Sequence, residues 1–405
     1  MTDAVGAPLD ALDVSDPERF RQQTHLPYFA RLRREDPVHF CPTSVYGPYW
    51  SVTRHDDILA VEVNHRQFSS NGNVIIGDVP AEFDATRAFA TSDPPVHTQE
   101  RQGVSPALSR RRVAELEDET RGSVGTLLDG LPRDEPFNWA TRVSAELTTQ
   151  MAATLFGFPM TERYRLMQWA EALVTTPGVG AIVESWSQRE AVICEYQARI
   201  LELWRQRSTA PGGDVISTLT QCPHTARMAD DPTHLLGTIT LVAGANEAAR
   251  GALSGCVVAF DMFPGEWERL RVDPSLAGNA AAEIVRWQTP IIHMRRTATE
   301  DVELRGRRIR KGDRVVMWYC SGNRDERLFE NGDALEIDRR NARQHVGFGG
   351  GIHRCVGSYV AEMQLRLLLE EMLARFPRIE VVAEPTRVAS NFSANYEEVL
   401  VRIRS

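Results

Sequence analysis

Residues 345–357 read His345-Val-Gly-Phe348-Gly349-Gly350-Gly351-Ile-His353-Arg354-Cys355-Val-Gly357, after which apolar residues recur at helical spacing to residue 376. No other stretch restricts the fold so strongly. Four glycines in eleven residues permit bends and close backbone approach that side chains would block. They deliver Cys355 to the start of a helix, where open N–H groups and the helix dipole favour a thiolate. A thiolate so placed suits a metal, and the same N–H donors would tune its electron donation. Three other readings compete. A glycine loop before a helix can cradle phosphate, but no Lys-Ser/Thr pair follows. Zinc on His345, His353 and Cys355 lacks a full ligand set. A lone cysteine in a tight turn is most often inert.

The remaining cysteines, Cys41, Cys194, Cys222, Cys256 and Cys320, are scattered without a C-x-x-C pair, which excludes a zinc ribbon and a secreted disulfide framework. Across 405 residues, 46 basic side chains face 55 acidic ones, a net charge of −9 with no general footprint for nucleic acid. The N-terminal residues lack the basic and apolar regions of a signal peptide. The most apolar stretch, 235–263, carries Asn246, Glu247 and Arg250 near its middle, so no membrane span is expected. The expected location is cytoplasmic. Length alone would suggest two or three domains, but no repeat or linker marks a boundary, and a single domain over 1–405 is expected.

Periodicity predicts helices over 142–156, 162–174, 186–207, 356–376 and a long one from Asp230-Asp231-Pro232 through 260. After Pro290 the pattern predicts short strands at 297–304, 308–309 and 315–319, with Lys311-Gly312-Asp313 as a hairpin turn, and a terminal pair near 379–382 and 399–403. The chain therefore reads as mainly α with a minor β portion.

The glycine–cysteine string resembles the haem-binding loop of cytochromes P450, F-G-x-G-x-H-x-C-x-G followed by a helix with a small residue. Phe348, Gly349, Gly351, His353, Cys355, Gly357 and Ala361 match it. Distant positions extend the resemblance in the family's order. Glu283-Ile-Val-Arg286 is similar to the E-x-x-R pair that locks the segment before the cysteine, with Arg339 or Arg340 as third member. Asp93-Pro94-Pro95-Val-His97-Thr-Gln99-Glu-Arg101 resembles the helix start that holds haem propionates, except that Gln99 replaces an arginine. The resemblance implies haem b ligated through iron by Cys355, with His97, Arg101, Arg296 and His353 on the propionates. The C-terminal third, including His293-Met-Arg-Arg296 and Ser390-Asn-Phe392, is most similar to bacterial P450s that hydroxylate terminal positions of alkanes and fatty acids.

Residues 241–250, Leu-Val-Ala243-Gly244-Ala-Asn246-Glu247-Ala248-Ala249-Arg250, resemble the family's oxygen-activating helix. Ala243 and Gly244 are small enough to leave room for dioxygen, and Glu247 matches the acidic residue of the proton path. A small-residue stripe for helix packing is the bland alternative. The family's threonine is absent: Ala248 stands there, and a methyl group can neither accept nor relay a proton. A substrate hydroxyl or an ordered water, with Asn246 or Glu247 assisting, would then complete the relay.

Val74, Ile75, Ile76 and Phe83 within a cover at 71–90, together with Ile291, Ile292 and Phe392, are candidate substrate walls, and 174–185 would form a second lid. The resemblance implies a haem-thiolate monooxygenase acting on an apolar or partly polar small molecule with O2. No flavin or ferredoxin motif is present, so electrons would come from a separate ferredoxin or flavodoxin and its reductase, steered by Arg110-Arg111-Arg112 and Arg354. A plain solvated arginine face is the alternative there. Two other functions stay open: oxidative coupling or another non-standard oxidation, consistent with Ala248, and a non-catalytic haem ligand sensor.

Overall fold

The computed structural model describes residues 6, 8–78, 88–174, 177, 182–244 and 246–404. Packing groups the chain into two compact units, one of residues 1–78, 119–145 and 247–405, the other of 79–118 and 146–246.

The first unit holds the β structure. A five-stranded sheet runs in the order Val38–Cys41, Tyr49–Val52, Arg314–Trp318, His293–Ala298, Phe68–Ser69. Its neighbours are antiparallel except Tyr49–Val52 and Arg314–Trp318, which pair in parallel with Trp50 opposite Val315. The central strand is apolar on both faces, as a strand covered on both sides must be. Its side chains alternate in destination. Val316 and Trp318 join a cluster with Phe20, Phe29, Leu32 and Tyr49, whereas Val315 and Met317 join one with Val38, Val52, Ile58 and Val61. In the same unit the buried helix Ala277–Gln288 packs on Ser358–Arg375.

The second unit is helical among its described residues: Val96–Val104, Arg110–Glu115, Glu146–Phe156, Arg163–Val174, Trp186–Thr209, Val215–Gln221 and Pro232–Gly244. Local chemistry sets several starts. Ser109, Ser185 and Asp214 each accept a backbone N–H three residues on, the N-cap bond their side chains favour.

The mainly α reading with minor sheets holds. Two local expectations are corrected. The stretch 297–304 is not one strand: His293–Ala298 and Val302–Leu304 belong to different sheets, and Thr299 N–H turns aside to the Gln67 carbonyl. The hairpin turn falls at Arg305-Gly306, both at positive φ (52° and 74°), between Val302–Leu304 and Arg307–Ile309. Lys311-Gly312-Asp313 does turn the chain, with Gly312 at φ 88°, but it joins strands of separate sheets. The helix expected from 230 through 260 is helical on both sides of residue 245, over Pro232–Gly244 and Asn246–Met262, and residue 245 lies outside the described residues.

Candidate functional site

The cysteine loop takes its shape from backbone demands. Gly349 and Gly351 sit at φ 64° and 58°, the left-handed region open to glycine without strain. A Cβ on Gly351 would lie 2.3 Å from the Glu62 carbonyl oxygen, so the loop could not seat with any side chain there. Gly349 N–H donates to Val346 O and Cys355 N–H to Phe348 O, each at 2.8 Å, closing the loop on itself. A short turn over Gly351–His353 leads to Cys355 and then to Gly357, the residue capping the helix Ser358–Arg375. Nothing lies within 4 Å of where a Cβ on Gly357 would project.

Cys355 is half-buried, in contrast to Cys41, Cys256 and Cys320. Burial pushes those three thiols up, to about 11 for Cys41 and about 12 for Cys256 and Cys320, and keeps them protonated. They are packing residues. Cys194 is exposed in the middle of a helix, remote from any glycine loop in sequence.

The segment before the loop is held by Glu283 and Arg286, both wholly buried. Arg286 donates to the Glu283 carboxylate through Nε and Nη2, both at 2.7 Å, and Arg339 Nε adds a third bond at 3.0 Å. The third member is therefore Arg339, while Arg340 is exposed. Arg286 also donates to the carbonyls of Asn323, Gly332 and Ala334 at 2.7–2.8 Å. Asn323 passes the constraint on: its Nδ2 donates to Thr289 Oγ1 at 2.9 Å and its Oδ1 accepts Val346 N–H at 2.7 Å. The bridging role of Asn323 has no local sequence signature.

Arg296 is buried on strand His293–Ala298, its Nη1 donating to Arg295 O at 2.9 Å and its Nη2 to Glu62 Oε2 at 2.7 Å. Glu62 and Tyr319, which also bonds this carboxylate, were not foreseen. In the second unit, His97 is buried near the start of helix Val96–Val104, with its ring 6.2 Å from Phe89. Arg101 follows four residues on, along the same helix face. Between them Glu100 pairs with His234 at 3.0 Å.

In the stretch leading to Ala248, Ala243 is buried and Gly244 has open space beside it. Asn246 Nδ2 donates to Met167 Sδ at 3.2 Å, and Glu247 Oε2 accepts from Arg250 and Asn395, both at 3.0 Å. The small residues that serve packing lie further along: Cβ atoms on Gly251 and Gly255 would collide with Ala394–Asn395 and Gln288. Among the candidate walls, Val74, Ile75, Ile291 and Phe392 are partly exposed, whereas Ile76 and Ile292 are packed into the cluster of Phe29 and Trp318. Phe83 lies outside the described residues, as do 79–87 of the first expected lid and 175–176 and 178–181 of the second. Of the basic residues, Arg111 and Arg112 pair with Glu115, Arg110 and Arg354 are exposed, and Arg354 Nη1 reaches Ser358 Oγ at 2.9 Å. No group of three or more His, Cys, Asp and Glu side chains that could hold a metal ion occurs among the described residues.

Residues 276–391 match the family model described as Cytochrome P450. The linalool 8-monooxygenase of Pseudomonas putida is 37% identical over 94% of this chain and 96% of its own length. The chain belongs to the cytochrome P450 family. A methyl-branched lipid omega-hydroxylase of Mycobacterium tuberculosis is 31% identical over 90% of this P450 and 87% of that protein. A cytochrome P450-153 from Novosphingobium aromaticivorans superposes with a TM-score of 0.88 at 39% identity, covering 97% of this chain and 99% of that one. A Mycobacterium marinum P450 in complex with pseudoionone gives 0.85 at 30% identity, covering 98% and 100%.

This P450 is thus an oxidoreductase, a monooxygenase whose cofactor is haem with a cysteine-ligated iron, using O2 and a redox partner on small-molecule substrates. Its residues suit that group: a half-buried thiol at a helix start, a glycine loop, and open space at Gly357. No helix of the described residues is long and apolar enough to cross a membrane.

Proposed function

We propose that this P450 hydroxylates an apolar, branched small molecule that carries a polar group near the carbon oxidised, within a single domain over 1–405. The observation that carries the reading is the Cys355 loop, whose conformation admits only glycine at 351 and leaves Cys355 half-buried before a helix. Cys355 would be the iron ligand, and His97, Arg101, Arg296 and His353 the propionate partners. When bound, haem would supply the one-electron chemistry of O2 activation, by which two electrons from the redox partner and two protons take one oxygen atom to water as the other enters a substrate C–H bond.

The chain's own residues do the rest. Cys355 N–H is committed to Phe348 O, which fixes the backbone that carries the thiol. Arg286, Glu283 and Arg339 keep the preceding segment from shifting, and Asn323 transmits that restraint to Val346. Val74, Ile75, Ile291 and Phe392 supply partly exposed apolar surface suited to excluding water from an apolar substrate. At position 248 no side-chain hydroxyl can hold a proton, so a hydroxyl of the substrate or an ordered water takes that duty. Electrons would come from an acidic ferredoxin or flavodoxin drawn to Arg110 and Arg354. The relatives named for linalool and for methyl-branched lipids support a branched apolar skeleton.

Reduced protein under carbon monoxide must show the red-shifted Soret band of thiolate ligation; its absence rejects Cys355 as ligand. A screen of alkyl, terpenoid and steroid compounds for a substrate-induced spin-state shift, then product analysis with surrogate redox proteins, tests the substrate class. Ala248 supports a second reading, oxidative coupling of a phenolic substrate, which a coupled product in place of an alcohol would establish.

A further inference from the structure

Glu62 is a carboxylate in an unfavourable place. It lies in the last turn of the helix His55–Val63, where the helix dipole disfavours negative charge, and it is only 2% exposed. Burying a charge there is costly unless donors surround it. Two do. Arg296 Nη2 lies 2.7 Å from Oε2, with the two side chains 4% and 1% exposed, and the Tyr319 hydroxyl donates to Oε1. Burial and the neighbouring Glu62 charge both raise the Tyr319 pKa far above its ordinary value, so the hydroxyl stays protonated and keeps donating.

The same residue touches the cysteine loop at three successive positions. A Cβ on Gly349 would lie 3.3 Å from Glu62 Oε1, one on Gly350 3.2 Å from Glu62 Cβ, and one on Gly351 2.3 Å from the Glu62 carbonyl oxygen. Gly349, Gly350 and Gly351 are thus seated on the residue that anchors Arg296. An ion pair serving stability alone is replaceable by apolar residues at little cost. A carboxylate that meets both the loop and the arginine also fixes a distance and shares out a charge.

We propose that Glu62 is a positioning residue for the haem site: with Tyr319 it sets the orientation and effective charge of Arg296, and holds the Cys355 loop in register with it. The inference rests on the reading above, in which Arg296 meets a propionate and Cys355 the iron. With Glu62 ionised, the positive charge of Arg296 is divided between two anions, and the haem feels less of it. Removing the Glu62 charge leaves a full guanidinium charge beside the haem, which favours the reduced state.

The test uses the haem-loaded protein and two readouts other than turnover: the ferric/ferrous potential, and the rate of haem transfer to excess apomyoglobin. Glu62→Gln is expected to move the potential upward and to speed haem release about tenfold, the loss expected from one charge-assisted hydrogen bond. Glu62→Asp, which keeps the charge, should restore the potential. Arg296→Gln should change both readouts, and Glu62→Gln on top of it should add little, because Glu62 acts through Arg296. Wild-type behaviour of Glu62→Gln in both readouts overturns the proposal, as does full additivity with Arg296→Gln. An Arg296→Gln protein that matches wild type overturns instead the reading that Arg296 meets haem. Should Glu62→Gln fail to fold, Tyr319→Phe carries the test: several-fold faster haem release supports the proposal, and a wild-type rate refutes it.

Discussion

Glu283→Gln is the sharpest test of how this protein holds its cysteine loop. The change is nearly isosteric, so packing is preserved and the electrostatics alone are altered. Glu283 Oε1 accepts from Arg286 Nη2, Arg339 Nε and the Glu336 N–H, and Oε2 accepts from Arg286 Nε, all within 2.7–3.0 Å. A carboxamide keeps one acceptor oxygen but turns its NH2 group toward a donor, and it leaves the wholly buried Arg286 without its counter-charge, while Arg339 keeps only its pair with Glu336. Removing one partner of a buried pair costs about 3–5 kcal/mol, a large share of the roughly 5–15 kcal/mol that holds a folded protein together. With a urea m-value of about 3 kcal/mol per M, the unfolding midpoint should fall by about 1–1.7 M. Urea titration at neutral pH, followed by far-ultraviolet circular dichroism, measures this. Glu18→Gln is the matched control: its pair with Arg21 is exposed, and its midpoint should stay at the wild-type value. If Glu283→Gln shifts the midpoint no further than the control, the buried network does not hold the segment and the chain from Arg286 through Asn323 to Val346 is not a restraint.

Four further outcomes are expected. Gly351→Ala places a methyl group at φ 58° against the Glu62 carbonyl, so purified protein should contain less than about a tenth of the wild-type haem, read by pyridine haemochrome assay. His293 donates from Nδ1 to Asn391 O and accepts Ile76 N–H at Nε2; burial lowers its pKa to about 4. The unfolded chain, with its histidine near 6.5, therefore binds a proton that the folded chain refuses between pH 6.5 and 4. This group's stability contribution is complete above 6.5 and is lost as pH falls toward 4, by up to about 1.4 kcal/mol per pH unit, and His293→Gln should flatten the measured slope by one proton. Ala248→Thr should leave coupling of electrons to product unchanged, or lower it, on a substrate that brings its own hydroxyl; a several-fold gain removes the case for substrate assistance. Reversing Arg110 and Arg354 to Glu should slow reduction by a ferredoxin several-fold and weaken its salt dependence in stopped-flow measurements.

Features imposed by local backbone geometry were legible in the sequence, and features made by distant side chains were not. Gly349 and Gly351 stand where the chain needs positive φ, a demand only the local residue can meet. The Glu283–Arg286 pair was visible because three residues is one helical turn, but its third member was narrowed only to two adjacent arginines. A segment of successive turns has no periodicity from which to read a phase, and only the fold turns Arg339 inward and Arg340 out. Glu62 gave no signal: its partners lie 234 and 257 residues away, and a glutamate in a short helix is ordinarily a surface residue. The misplaced hairpin has the same origin. Lys-Gly-Asp is good turn chemistry, and nothing local reveals that Arg305 takes φ 52°. Ile76 and Ile292 show the limit for walls, since an isoleucine facing a substrate and one facing Trp318 read alike.

The proposed relay past Ala248 gains support from what surrounds that residue in sequence. In that proposal a neighbouring polar side chain is the first alternative to the substrate, and Asn246 and Glu247 are the adjacent candidates. Both are engaged elsewhere: Asn246 on Met167, Glu247 on Arg250 and Asn395. Recruiting Glu247 would break a bond to a cation, worth more than a neutral one, and it would leave Asn395 Nδ2 without that acceptor. Ala249 adds no alternative. A proton donor at position 248 is therefore easier to supply from outside the chain, by water or by the substrate, than from within it. Of these two, only the substrate makes the relay depend on what is bound. Replacing the substrate hydroxyl by a methyl ether should then lower coupling several-fold while the spin-state shift on binding persists. Unchanged coupling with the ether would assign the relay to water alone.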